Sequence, residues 1–157
     1  MDKGWGWTEH AAFRGGCQCG AVRYRVAAGP AKDCLCHCRM CQRATGNAFA
    51  PLVELPADRV TWDGAPAEWA SSSVGWRGFC AGCGTPLYFR SGATVELMAG
   101  TLAPGTAFDP VFNAGVESRV GWLGALDRAP ARTTDPALLA VGRSHQAPEG
   151  GCPSACA

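Results

Sequence analysis

Gly16-Cys17-Gln18-Cys19-Gly20 and Cys80-Ala81-Gly82-Cys83-Gly84 decide how this chain is read. Each is a short chelating piece closed by a glycine, which lets the backbone turn tightly and aim its N–H groups at the sulfurs. A structural zinc site wants four tetrahedral ligands, with sulfur at about 2.3 Å. Together the two pieces supply four thiolates. They lie roughly 60 residues apart, so one ion bridging them closes a long loop and its binding energy becomes folding energy. Cys17, Cys19, Cys80 and Cys83 are therefore assigned to a structural zinc.

Between them stands Cys36-His37-Cys38-Arg39-Met40-Cys41. On extended backbone, residues two apart share a face, so Cys36 and Cys38 point the same way. A turn after Cys38 brings Cys41 beside them. Three thiolates leave one tetrahedral position open, which is the arrangement of a reactive zinc. Cys34 shares the same face and is a candidate fourth ligand. Three alternating thiolates span about 13 Å of strand, however, and wrapping them on one ion needs a sharp bend. Cys34 is read first as a free thiol nearby. Zinc on three thiolates carries a negative formal charge and is a poor Lewis acid, but it still takes a thiol and favours its thiolate form. Thiol chemistry fits this cluster better than peptide or phosphate hydrolysis. Lys32, His37, Arg39 and Arg43 surround it, and Arg39 and Arg43 are candidate anchors for a substrate carboxylate. His37 points away from its cysteine neighbours and reads as a supporting or surface residue.

Working outward, the chain reads as many short strands. Val22, Tyr24 and Val26 alternate with Arg23 and Arg25, the period of a half-buried strand. Residues 48–55 form a second strand, which Pro51 places at an edge or bulge. Arg59–Trp62 and Ala67–Ala70 flank Asp63-Gly64. Leu87–Arg90 and Thr94–Ala99 form a hairpin around Ser91-Gly92. Val116–Leu123 is expected as the last strand, and Cys41–Gly46 as a short helical turn. Trp62, Trp69, Trp76 and Trp122 read as core or strand-face aromatics. No segment shows a long helical period. With 21 Gly and 11 Pro, the pattern indicates a mainly β domain.

The chain has 157 residues, which suits one core. Residues 1–12 read as a leader, 13–128 as the zinc-binding β domain, and 129–157 as a mostly flexible tail with a helical turn at Pro136–Val141. Cys152 and Cys156 in that tail read as unliganded thiols, the other reading being that one of them folds back onto the second zinc. His10 and His145 are expected to face solvent. Net charge is +1, which gives no strong pull toward nucleic acid or anionic lipid. No apolar run approaches the roughly 20 residues that span a bilayer, and residues 1–8 lack the apolar segment of a secretory signal. A cytoplasmic location follows as an expectation. In a reducing compartment, ten clustered cysteines point to metal ligands rather than disulfides.

These motifs resemble the glutathione-dependent formaldehyde-activating family, which also includes a centromere-associated protein of animals. The resemblance is carried by residues 16–24, by Cys36-His37-Cys38-Arg39-Met40-Cys41-Gln42-Arg43 with Gly46, and by Arg77-Gly78-Phe79-Cys80-Ala81-Gly82-Cys83-Gly84-Thr85-Pro86-Leu87 after Ser72 or Ser73. It covers residues 13–125. It implies a β-tent of small antiparallel sheets organised by two zinc ions, one on Cys17, Cys19, Cys80 and Cys83 and one on Cys36, Cys38 and Cys41. The activity it implies is of the carbon–sulfur lyase type, joining glutathione and formaldehyde into S-hydroxymethylglutathione or the reverse. A small thiol such as glutathione and an aldehyde are then the expected partners. The chain departs from the family at Ala103, where Asp is frequent, and in having no His near Phe112.

Two other function classes use the same cysteines. One is a non-catalytic zinc module that binds a partner. The other is a sensor in which Cys34 and its neighbours oxidise and release metal.

Overall fold

A computed structural model of the chain describes residues 6–148. The fold is mainly β, built of antiparallel sheets with few helices. In chain order the strands are β1 (Thr8–His10), β2 (Phe13–Gly16), β3 (Arg23–Val26), β4 (Gly29–Cys36), β5 (Ala50–Pro56), β6 (Val60–Asp63), β7 (Ala67–Ala70), β8 (Trp76–Phe79), β9 (Pro86–Ser91), β10 (Thr94–Met98) and β11 (Phe112–Ala114). Helix α1 (Arg39–Thr45) follows β4, and α2 (Pro136–Val141) lies near the end of the described chain.

The large sheet runs β1-β4-β5-β10-β9-β8-β7, and β11 also pairs with β4. β1 takes residues 29–31 of β4 in antiparallel register, and β11 takes Cys34–Cys36 in parallel register. A second, three-stranded sheet runs β2-β3-β6. β6 and β7 flank Gly64, yet β6 joins the small sheet and β7 the large one.

Alternation along β5 separates two apolar layers. Val53 and Leu55 face the small sheet and pack with Leu87, Val95 and Leu97 against Tyr24, Val26 and Trp62. The Trp62 ring lies 5.3 Å from Tyr24 and 5.1 Å from Tyr88. Ala50 and Leu52 face the other way and form a smaller cluster with Cys34, Cys41 and Met98. The three-cysteine motif belongs to this outer layer.

Several expectations are corrected. β5 is an interior strand, paired with β4 on one side and β10 on the other. Pro51 is tolerated because β10 ends at Met98, opposite Leu52, one residue before the proline. The hairpin loop is Gly92-Ala93, since Ser91 pairs with Thr94. Val116–Leu123 is not a strand: 3₁₀ segments occupy Val116–Ser118 and Gly121–Arg128, and the last strand among the described residues is β11. Gly115, with φ 63°, turns the chain out of β11 before an alternating pattern can continue. Ordered structure also begins before Phe13, because β1 closes the upper edge of β4. The His10 side chain is only 11% exposed and stands 3.5 Å from Asp33, rather than facing solvent. Trp69 is an exposed strand-face residue of β7, whereas Trp122 is exposed in a 3₁₀ segment and is neither core nor strand.

Candidate functional site

The structure brings the cysteines into two groups. Cys17, Cys19, Cys80 and Cys83 place their sulfurs within 4.8 Å of one another. Cys36, Cys38 and Cys41 do the same. The pieces come together through the sheets. The turn after β2 carries Cys17 and Cys19, and the turn between β8 and β9 carries Cys80 and Cys83. Each turn is closed by its own backbone: Cys17 N donates to Val22 O at 2.9 Å, and Cys80 N donates to Thr85 O at 2.9 Å.

The four-thiol group fits a tetrahedral ion. Sulfurs about 2.3 Å from a common centre stand about 3.8 Å apart. Cys17 and Cys19 sulfurs are 3.6 Å apart, and Cys19 and Cys80 sulfurs are 3.7 Å apart. These separations are far too long for a disulfide. Val22 N donates to Cys17 Sγ at 3.3 Å, and Thr85 Oγ1 lies 3.1 Å from Cys83 Sγ. Burial would raise the Cys83 thiol, but hydrogen bonds from Thr85 and from the Cys19 backbone outweigh it and bring it down to about 6. With four protein ligands, this group could hold one ion with no position left for a further ligand.

The three-thiol group sits where β4 meets α1. Cys38 caps the helix, its sulfur accepting from Cys41 N at 3.4 Å. Gly46 ends the helix with φ 62°, donating to Gln42 O. Cys41 is brought down to about 5, first by the hydrogen bond from the Cys36 thiol and then by Arg77. Cys36, as the donor of that bond and partly buried, is pushed up. Cys34 is buried and shares the face, but it is not in the group. Burial, then the charges of Glu96 and Glu54, push its thiol up to about 12.

His37 is fully buried. Its Nε2 is 2.8 Å from Asn113 Oδ1 and its ring packs on Phe49, so it braces β11 against α1. Arg39 and Arg43 lie on α1 and are exposed, with Arg39 donating to Gln42 Oε1. Lys32 is paired with Glu54 at 2.6 Å and stands over the Trp7 and Phe112 rings. Cys152 and Cys156 lie outside the described residues.

Sequence reasoning missed four contributors. Arg77 reaches across the large sheet, and its Nη2 donates to Cys41 Sγ at 3.5 Å. Glu96 on β10 shares that face, where burial first and the Glu54 charge second raise its carboxyl to about 7. Gln42 is buried and ties His37 O (2.6 Å) to Ser118 O (2.8 Å). Asn113 holds His37. Strand alternation puts Arg77 and Glu96 on the outer face, but only the strand order β10-β9-β8 brings them near the cysteines.

A cavity of about 410 Å³ opens beside the four-thiol group, lined by Arg14, Arg23, Arg25, Tyr24, Trp62 and Asp63 among others. None of Cys36, Cys38 and Cys41 lines it.

A family profile described as glutathione-dependent formaldehyde-activating enzyme matches residues 12–117. A protein of Schizosaccharomyces pombe, named as an uncharacterized lyase, is 31% identical over 77 residues, 49% of this chain and 56% of that protein. The chain thus spans only about half the length of this curated relative. A crystal structure of a Rhodobacter sphaeroides protein superposes with a TM-score of 0.53 at 20% identity, covering 64% of this chain and 99% of that one. That likeness concerns the fold alone. Among the described residues, no helix is long and apolar enough to cross a membrane.

Proposed function

This chain belongs to the glutathione-dependent formaldehyde-activating enzyme family, and we propose that it is a zinc-dependent, carbon–sulfur lyase-type enzyme acting on thiol–aldehyde adducts. The reaction is the joining of glutathione and formaldehyde into S-hydroxymethylglutathione, or its reverse. One observation carries the reading. Cys36, Cys38 and Cys41 converge as three thiols, and among the described residues no fourth ligand joins the group. Cys34 stays outside it, and His37 is held by Asn113.

Zinc bound by these three sulfurs would take a small thiol at its remaining position and favour the thiolate. The chain's own residues prepare that site. Arg77 offsets negative charge at Cys41, α1 fixes the spacing of Cys38 and Cys41, and the β11 segment holds α1 in place through His37 and Gln42. Arg39 and Arg43, exposed on α1, are proposed anchors for the thiol's carboxylates. The four-thiol group is proposed as the structural zinc site, since it leaves no position for substrate.

The test uses the cobalt-substituted protein, glutathione and formaldehyde. Adding glutathione should shift the thiolate–cobalt absorption, and Cys41→Ser should abolish turnover while the protein stays folded and keeps one metal. Unchanged turnover in Cys41→Ser rejects the mechanism. A wild-type spectrum that ignores the thiol favours a non-catalytic zinc module.

A further inference from the structure

Beside the three-thiol group a buried arginine has one nitrogen without a partner. Arg77 is only 8% exposed. It stands on β8, opposite Trp69 on β7 and Phe89 on β9. Its guanidinium lies 5.1 Å over the Phe89 ring, and Nη2 is committed to Cys41 Sγ. Nη1 is buried and has no hydrogen-bond partner among the described residues. Buried polar groups are almost always paired, and leaving a donor on a charged group unmet is costly. The carboxylates that share this face leave it unpaired. Glu54 is engaged by Lys32, and Glu96 acts on Arg77 only through its charge. Nη1 is thus the donor beside the three-thiol group that no described residue satisfies.

We infer that Arg77 is a catalytic residue whose Nη1 receives the oxygen that turns negative as a thiolate adds to an aldehyde. The inference rests on the thiol–aldehyde reading above. In the step, a sulfur lone pair forms the C–S bond to the carbonyl carbon. The C=O π pair moves onto oxygen, and the Nη1–H donor holds the resulting alkoxide. The alkoxide then takes up, through water, the proton that the thiol gave up. Nothing is oxidised or reduced, and the reverse reaction retraces the path. The geometry favours this oxygen over a substrate carboxylate. Nη1 belongs to the same guanidinium as the nitrogen that touches Cys41, so it lies close to the sulfurs that would hold the reacting thiol. The adduct oxygen is attached to the very carbon that sulfur attacks, whereas the carboxylates of glutathione lie several bonds further off. A donor fixed in a dry site, aimed where charge develops, needs no reorganisation during the reaction.

The test compares two probes on the cobalt-loaded protein, followed by thiolate–cobalt absorption. Thioacetate presents an S–C–O unit; ethanethiol presents S–C–C. Arg77→Met should weaken thioacetate about 10-fold or more relative to ethanethiol. It should also lower kcat about 100-fold with little change in the KM for glutathione. An unchanged affinity ratio overturns the inference. So does equal weakening of both probes, which marks a purely structural role, or a raised KM at constant kcat, which marks a carboxylate anchor. If Arg77→Met holds no cobalt, Arg77→Lys decides. A lysine keeps the charge but lacks the second rigidly placed donor, so the ratio still falls, and a wild-type ratio overturns the inference. A wild-type protein silent to both probes rejects the thiol reading itself and this inference with it. A responsive wild type with an unchanged Arg77→Met ratio rejects the inference alone.

Discussion

Gly115→Ala should loosen the three-thiol group while leaving the four-thiol group intact. Gly115 links β11 to the 3₁₀ turn at Val116–Ser118 and has φ 63°, a conformation that costs alanine about 1–2 kcal/mol. A methyl group there would sit 2.8 Å from Cys38 N and 3.0 Å from Cys38 Cβ. These are atoms of the junction between β4 and α1, and they cannot swing aside like the end of a long side chain. Overpacking of this kind costs about 1–3 kcal/mol. Gly46→Ala is the matched control. Gly46 has φ 62° and also borders α1, but nothing lies within 4 Å of its Cβ position. Both variants carry the same conformational cost, and only Gly115→Ala adds the overlap. The difference should appear as a loss of metal affinity at the three-thiol site of about 5- to 150-fold relative to Gly46→Ala. Competition titration of zinc against a chromophoric chelator reads it, with the four-thiol site as internal reference. Equal affinities in the two variants would refute the reasoning, because Cys38 would then be free to move without consequence for the site.

Two further outcomes are expected. Cys83→Ser, or stripping the metal with a strong chelator, should abolish cooperative unfolding in thermal circular dichroism. Structural zinc contributes about 10–16 kcal/mol, as much as the whole stability of a typical domain, so a soluble, cooperatively melting Cys83→Ser protein counts against the structural role. Acid should weaken the protein through Glu68, whose carboxyl is held at about 2 chiefly by Arg90 and also by the Tyr88 hydroxyl. A depressed folded-state value gives stability that is present above the unfolded value of about 4.5 and lost as pH falls toward 2. The pair is partly solvated, so the effect is about 1 kcal/mol or less. Glu68→Gln should flatten denaturant stability across that range, and a variant with the wild-type pH profile there discounts the pair.

Much of the fold was legible because the cysteine turns and strand alternation are local signals. The strands around Tyr24, Leu87 and Val95 show their period in a few residues, and Gly20, Gly46 and Gly84 mark their turns. What escaped reading was set by long-range pairing. Nothing in residues 57–70 says that β6 and β7 join different sheets. β11 was missed because three residues paired in parallel to Cys34–Cys36 carry no periodic signature. The neighbouring Val116–Leu123 looks strand-like from its spaced apolar residues, yet it forms 3₁₀ turns with no buried residue. In the site, the grouping of Cys36, Cys38 and Cys41 is legible because six residues of backbone hold all three. Arg77 was not, since its partner lies 36 positions away and is reached across the sheet.

That placement of Arg77 also explains why two cysteine groups of similar chemistry belong in one small domain. β8 carries Arg77 toward Cys41, and three residues later the same chain supplies Cys80 to the other group. A register shift between Gly78 and Phe79 lies between the two, where the regular ladder of β8 gives way to the cysteine turn. The four-thiol group pins one end of β8 to the turn after β2, and Phe89 supports the guanidinium from β9. An ion at the four-thiol group would therefore fix the strand that delivers the positive charge to the three-thiol group, although no ligand is shared. On the proposed reading, the closed group positions and the open group reacts. Weakening the first should degrade the second through Arg77, before any cysteine of the three is touched.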